Sequence, residues 1–205
     1  MKRVAIACAF LAVSHALPMA AGESPAAKST LSYTDPAGDV AITEYDPNPI
    51  DVVGIDVSSD GEFIVVSSTL AAIPKPTALT QALITGVAFD VDNDLKTGGH
   101  GFAGMHGPLP GVDFESEIFA SVDEGQPSKS ASASVIGVDA NGNQSSVLYS
   151  FDAPSTDAKG KVYTGKIAYS SIGVKSGQTI RMIVRELNDG GETAGMFPEA
   201  LLKLK

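Results

Sequence analysis

Three aspartates occupy alternate positions in the segment FDVDNDLKTGG, where an apolar run ends. They are Asp90, Asp92 and Asp94, with Asn93 between two of them. Alternating carboxylates on a turn can place several hard oxygen atoms around one cation, which is how proteins hold Ca²⁺. Crowded carboxylates also repel one another unless a positive charge lies among them. The spacing therefore predicts a calcium site, and a solvated polar turn without an ion is the alternative.

The D-x-D-x-D spacing also opens an EF-hand loop, but the rest of the segment does not fit one. If Asp90 is the first position of such a loop, Leu95 falls where the EF-hand needs glycine. Gly101 falls where it needs a bidentate glutamate. The residues before the loop are typical of a strand, whereas an EF-hand loop follows a helix. The segment is therefore not an EF-hand.

Further oxygen ligands have to come from outside the three aspartates. The Lys96 carbonyl is one candidate, and the segment GVDFESEIF offers Asp113 as another. Glu115 and Glu117 would lie on the same strand face as Asp113, because side chains alternate along a strand. Whether either glutamate joins the site is left open, as is a second site at Asp35 and Asp39. The predicted metal ligands are Asp90, Asp92, Asp94, Lys96 and Asp113.

Short β-branched segments, separated by Gly, Asp, Asn and Pro clusters, must position these residues. No segment has a sustained helical period. The predicted fold is all-β, an antiparallel β-sandwich of jelly-roll or immunoglobulin-like type with about ten strands. The low-complexity stretch PSKSASAS is interpreted as a loop entering an edge strand. The predicted strands are Leu31–Thr34, Ile50–Val57, Glu62–Leu70, Leu83–Val91, Phe114–Val122, Ala133–Val138, Ser145–Phe151, Val162–Ser170, Thr179–Leu187 and Ala200–Leu204.

The composition limits the partners that the chain can bind. A length of 205 residues suits one domain with its own core, and the formal net charge is −10. No cluster of Lys and Arg is present to neutralise phosphates, which argues against nucleic acid. Arg181 and Arg185 fall on one face of a predicted strand and are expected to pair with Glu115 or Glu117. The oligomeric state is not predicted.

The N-terminal segment is typical of a cleaved secretory signal. Lys2 and Arg3 precede a short apolar run, and small residues follow it, so cleavage is expected after Ala16 or, preferably, after Gly22. The run is too short to cross a bilayer. Removing it also removes Cys8, the single cysteine, so no disulfide is expected. The predicted organisation is a signal at 1–22, a flexible leader at 23–30 and a secreted or periplasmic domain at 31–205.

Several motifs occur in an order that resembles one group of secreted bacterial β-sandwiches, the carbohydrate-binding-module-9 and DOMON-like families. The first is D-P-x-G-D, the second is a strand that ends in D-x-D-x-x-x-x-T-G, and the third is G-x-D-aromatic. The matching residues are Asp35, Pro36, Gly38 and Asp39, then Asp90, Asp92, Thr97 and Gly98, then Gly111, Asp113 and Phe114.

The resemblance implies a calcium-stabilised sandwich that acts as a binding or accessory module, toward extracellular carbohydrate or protein. Sugar-binding members stack sugars on exposed Trp or Tyr, whereas this chain has no Trp and five scattered Tyr. Two alternative functions stay open: a haem- or metal-binding redox carrier of DOMON-like type, and an extracellular hydrolase.

The glycine-rich segment GHGFAGMHGPLPG carries the residues that a haem site would use. His100, Met105 and His106 lie in it, but no C-x-x-C-H motif is present. Its glycines and prolines are expected to prevent any regular element, which predicts a mobile surface loop without a cofactor. The G-x-G-x-x-G that it contains is not followed by a segment that can begin a helix, so no dinucleotide site is predicted.

Overall fold

A computed structural model of the chain describes residues 26–38, 50–72, 81–101, 109–123, 126–139, 148–150, 155–156, 161–187 and 193–205. The predicted signal at 1–22 lies outside the described residues, as do Asp39, Met105 and His106. In the part of the chain that the structure describes, no helix has the length and apolar character needed to cross a membrane.

The described residues form fourteen β-strands and one short 3-10 helix, Tyr169–Ser171. The strands are β1 Thr30–Thr34, β2 Val52–Ser59, β3 Phe63–Leu70, β4 Gln81–Asp90, β5 Gly99–Gly101, β6 Leu109–Val112, β7 Phe114–Asp123, β8 Gln126–Gly137, β9 Leu148–Ser150, β10 Ser155–Thr156, β11 Val162–Ala168, β12 Thr179–Leu187, β13 Thr193–Met196 and β14 Ala200–Lys203.

The strands form two antiparallel sheets and one small ladder. The five-stranded sheet has the order β1-β2-β3-β11-β10, and the larger sheet has the order β13-β12-β4-β7-β8-β9, with β14 also paired to β12. β5 and β6 pair with each other. This arrangement confirms the predicted all-β sandwich.

The core lies between the two sheets because side chains alternate along the strands. In β3 every second residue is buried, and β11 shows the same alternation. Phe89 and Met182 face this core from the larger sheet, and both are almost fully buried. One polar pair crosses the core, where the hydroxyls of Ser68 and Thr85 lie 2.8 Å apart and satisfy each other.

Each predicted strand has a counterpart, and the differences concern short or low-complexity segments. β5, β6, β10 and β13 were not predicted. The PSKSASAS stretch is not a loop, because it lies inside β8, which pairs with β7 on one side and β9 on the other. The prediction of no regular element in the glycine-rich segment is wrong at its two ends, which form the β5–β6 ladder.

Close packing between the sheets depends on Gly165 in β11. A Cβ atom built at this position would lie 2.6 Å from Cγ2 of Ile118, a β7 residue of the facing sheet. Real Cβ atoms do not approach that closely, so a larger residue here forces the sheets or the Ile118 side chain to move. Gly165 therefore fixes the local separation of the two sheets.

We expect Gly165→Ala to lower the free energy of unfolding by about 1–3 kcal/mol, because it overpacks the interface. Ile118→Ala alone should cost about 2–5 kcal/mol through the cavity that it leaves. The double variant should cost less than the two changes together, since the new methyl group fills part of that cavity. Urea unfolding of all four proteins measures this coupling. Additive losses would show that the two residues do not compete for one space.

Gly54→Ala serves as the control within the same sheet. A Cβ at Gly54 would lie 3.5 Å from the Tyr33 carbonyl oxygen, an ordinary contact. We expect this change to alter the free energy of unfolding by less than about 0.5 kcal/mol.

Candidate metal centre

Two chain segments meet at the end of β4. Asp90 is the last residue of β4, and Asp113 lies between β6 and β7. The Asp113 amide donates to the Phe89 carbonyl at 2.8 Å, and Phe89 is also the ladder partner of Phe114. The pairing of β4 with β7 therefore brings Asp113 beside the start of the aspartate loop, although 22 residues separate Asp113 from Val91 along the chain.

Asp90, Asp92 and Asp113 form an acidic cluster at this point. Each offers one carboxylate oxygen, and these oxygens all lie within 4.8 Å of one another. Asp90 is only 1 % exposed, Asp113 is half-buried and Asp92 is exposed. The cluster therefore has a buried floor and an open side, and its three oxygens are close enough to bind one ion.

Hydrogen bonds within the loop orient two of the three carboxylates. The Val91 amide donates to Asp113 Oδ2 at 2.9 Å, which ties the loop to the second segment. The Asp94 amide donates to Asp92 Oδ1 at 2.9 Å, and Thr97 Oγ1 lies 3.0 Å from both oxygens of the Asp92 carboxylate. Such hydrogen bonds also occur in turns without an ion, so they position the carboxylates but do not by themselves indicate a ligand.

Two glycines allow the loop to approach the second segment. Gly98 has φ +61°, and a Cβ there would overlap the Val112 carbonyl and lie 2.9 Å from Asp113 Oδ1. Gly111 has φ +82°, and a Cβ there would lie 2.8 Å from the Cα of Leu95. Side chains at either position would push the two segments apart. Asn93, the one non-glycine residue with positive φ among the described residues, donates from Nδ2 to the Thr179 carbonyl at 2.8 Å.

Arg181 of β12 compensates one oxygen of the buried carboxylate. Its Nε and Nη2 atoms both lie 2.9 Å from Asp90 Oδ2. The antiparallel register places Arg181 directly opposite Asp90, which explains the pairing. The other Asp90 oxygen, Oδ1, is buried and has no hydrogen-bond partner among the residues that the structure describes. A buried carboxylate oxygen without a partner is costly, and here it belongs to a cluster with two more carboxylates.

The electrostatics of the cluster differ from one aspartate to the next. Burial raises the pKa of the Asp90 carboxyl, and this effect outweighs the lowering by Arg181. Burial also raises the pKa of Asp113, the Val91 amide opposes that shift, and the charges of Asp92 and Asp90 add to it. The pKa of Asp92 is lowered, chiefly because it accepts the hydrogen bond from the Asp94 amide. Positive charge placed among the three would favour the ionised form of all of them.

The structure brings together three of the five predicted ligands. Asp94 is exposed, and its Oδ1 accepts a hydrogen bond from the Lys96 amide at 3.0 Å. Neither Asp94 nor Lys96 belongs to the acidic cluster of the described residues. Their part in metal binding stays a prediction.

The two glutamates that were left open lie on the outer face of the larger sheet. Glu117 is 3.4 Å from Arg185 Nη2, which confirms one of the predicted ion pairs. Gly86 lies between them in the ladder and has no side chain to separate them. Glu115 is buried. The expectation that Arg181 pairs with a glutamate of β7 is wrong. Strand β4 lies between β12 and β7, and its residue Asp90 forms the ion pair with Arg181 instead.

Two contributors were missed by reasoning from the sequence. Arg181 was assigned to the wrong partner, and Thr97 was noted only as part of a motif. Their roles depend on strand register and on loop conformation, and the spacing of residue types along the chain carries no direct signal for either. Among the haem-site candidates, His100 lies in β5, while Met105 and His106 lie outside the described residues.

The fold and the cluster define the chain as a β-sandwich with an acidic, partly buried loop site. No protein-family model, curated protein or solved structure matches it.

We expect Gly98→Ala to destabilise the protein by more than Gly61→Ala. Both positions have positive φ, which costs a residue with a side chain about 1–3 kcal/mol. A Cβ at Gly61 meets open space, whereas a Cβ at Gly98 meets backbone that cannot move without displacing Asp113. Chemical unfolding of the two variants measures the difference. Equal losses would mean that the two segments are not held in close contact.

Proposed function

We propose that the chain is an exported β-sandwich whose acidic cluster binds one calcium ion and that it serves as a binding or accessory module. The metal part of the proposal is supported by the acidic cluster of Asp90, Asp92 and Asp113. One observation carries it, namely that Asp90 Oδ1 is buried in this cluster without a hydrogen-bond partner among the described residues.

The chemistry of the three groups favours a hard cation. All are carboxylates, and no described His or Cys shares the cluster, so the oxygen ligands suit Ca²⁺ or Mg²⁺ better than softer metals. Ca²⁺ accepts six to eight oxygen ligands in irregular geometry, whereas Mg²⁺ demands near-octahedral geometry and gives up its water reluctantly. Three carboxylates with one open side suit the larger ion, because water molecules and backbone oxygens can complete its shell.

Export and the role as a binding module rest on the sequence. Export is supported by the basic start, the short apolar run and the small residues before Glu23. The module role is supported by the resemblance of the three motifs to secreted β-sandwiches. The acidic character of the chain, with a net charge of −10, favours partners other than nucleic acid.

The calcium site is tested by thermal unfolding of protein first freed of metal. We expect saturating Ca²⁺ to raise the melting temperature by roughly 5–10 °C, because an ion at a hundredfold excess over Kd adds about 2.7 kcal/mol. Mg²⁺ at the same concentration should give a smaller rise. Asp113→Asn and Asp92→Asn should each remove most of the calcium effect, since they delete one charge and keep an oxygen that can accept the loop hydrogen bonds. Identical melting curves with Ca²⁺ and with chelator would refute the proposal.

Two further substitutions test whether the calcium effect is specific to the acidic cluster. Asp56→Asn is the control, because Asp56 is exposed in β2 and accepts a hydrogen bond from Ser32, away from the loop. It should leave the calcium effect unchanged. Asp94→Asn decides whether the fourth predicted carboxylate is a ligand, since asparagine keeps an acceptor for the Lys96 amide. If Asp94 binds the ion, this variant should behave like Asp92→Asn.

A further inference from the structure

The guanidinium of Arg181 is a fixed positive charge at the edge of the acidic cluster. In addition to the two contacts with Asp90, its Nη1 atom lies 3.0 Å from Glu199 Oε2, and Nη2 donates to the Pro110 carbonyl. Arg181 is buried, with 8 % of the residue exposed. A side chain held by three different segments cannot swing away when an ion arrives, so its charge stays beside the site.

The positive charge of Arg181 lowers the net negative charge of the site. The three carboxylates carry −3 when ionised, and Arg181 brings the sum to −2. Glu199 also contacts Arg181, but its side chain is 45 % exposed, so water screens much of its charge. One divalent cation therefore neutralises the site, whereas a trivalent cation would leave it positively charged.

We infer that Arg181 is a specificity-determining residue, which holds the acidic cluster at the charge of one divalent ion and so disfavours trivalent ions. The inference rests on the proposed function, since it presupposes that the cluster binds a cation. Its physical basis is that Arg181 repels a trivalent ion more strongly than a divalent one, in proportion to the charge of the ion. The loss of correctly oriented Asp90, by contrast, weakens the binding of both ions.

The test compares two ions of similar size and oxygen preference, Ca²⁺ and Tb³⁺, in isothermal titration of the same protein. We expect Arg181→Gln to raise the affinity ratio of Tb³⁺ to Ca²⁺ about tenfold, for a unit charge about 6 Å from the ion and an effective dielectric constant near 40. Arg181→Lys keeps the charge and loses the paired contact with Asp90. This variant should weaken the binding of both ions, while the affinity ratio of Tb³⁺ to Ca²⁺ stays within about twofold of that of the unmodified protein.

Arg185→Gln is the matched control, because Arg185 is also buried on the outer face of β12 but pairs with Glu117. It should leave the ratio unchanged. If Arg181→Gln does not fold, as judged by circular dichroism, Glu199→Gln applies the same test in the opposite direction. It removes a negative charge next to Arg181 on an exposed side chain, and it should lower the Tb³⁺ to Ca²⁺ ratio by about twofold.

The results separate the inference from the proposal beneath it. A ratio that rises in Arg181→Gln and not in Arg181→Lys supports the inference. A ratio that changes equally in both variants, or in neither, overturns it and leaves the calcium site standing. The same holds for an unchanged ratio in Glu199→Gln where that variant replaces Arg181→Gln. If the unmodified protein binds neither ion, the proposed function fails and the inference fails with it.

Discussion

A buried carboxylate at the end of a strand is the constraint on which the site depends. Removing an ionised carboxylate from water costs several kcal/mol, and Asp90 is only 1 % exposed. Arg181 compensates one oxygen, and in doing so it draws Glu199 and the Pro110 carbonyl to the same place. The segment before β14, the start of β12 and strand β6 therefore meet around the charge of Arg181. The second oxygen of Asp90 is left without a partner in the described structure, and Asp92 is the exposed member of the cluster.

The approach of Asp113 to Asp90 depends on the backbone conformation of two glycines rather than on further charged residues. Asp113 reaches the cluster because Gly98 and Gly111 let two chain segments lie closer than side chains allow. Both have positive φ, which glycine adopts without strain. The same two residues stand in the motifs that suggested the family resemblance. Their placement gives those motifs a physical meaning: the glycines bring the segments together, and the aspartates use the resulting proximity.

How far the sequence predicts this structure varies with the physical origin of each feature. β3 and β12 were predicted because a half-buried strand imposes an alternation that is visible in the residue types. β8 was cut short because Ser, Ala and Lys carry little strand preference, while pairing with β7 and β9 on both sides stabilises the strand. The β5–β6 ladder has too few residues to show a period. In each case the missing information is the neighbouring strand, which spacing along one chain does not contain.

The candidate site also contains residues that the sequence predicts and contacts that it does not. Asp90, Asp92 and Asp113 were predicted from residue type, because crowded carboxylates are informative wherever the chain places them. The partner of Arg181 depends on register, which places Asp90 opposite it. Arg185 lies opposite Gly86, whose missing side chain lets the guanidinium reach Glu117. A shift of that register by four residues would place Arg185 opposite Asp90 while keeping the same faces buried. The partners of ion pairs on a sheet therefore cannot be predicted until the strand register is known.

The position of the cluster also limits what an ion can do for the protein. The main core lies between the sheets and includes buried residues from both, such as Ile64 and Phe89, whereas the acidic cluster lies at the end of β4. Burial of that core needs no ion, so the sandwich has its own source of stability. The ion would act on the contact between the loop and the β6–β7 junction, where three carboxylates oppose one another. In the proposed calcium-bound form, the ion would therefore order one end of a sheet that is already folded, and a partner that contacts the ion would approach from the side of the exposed Asp92.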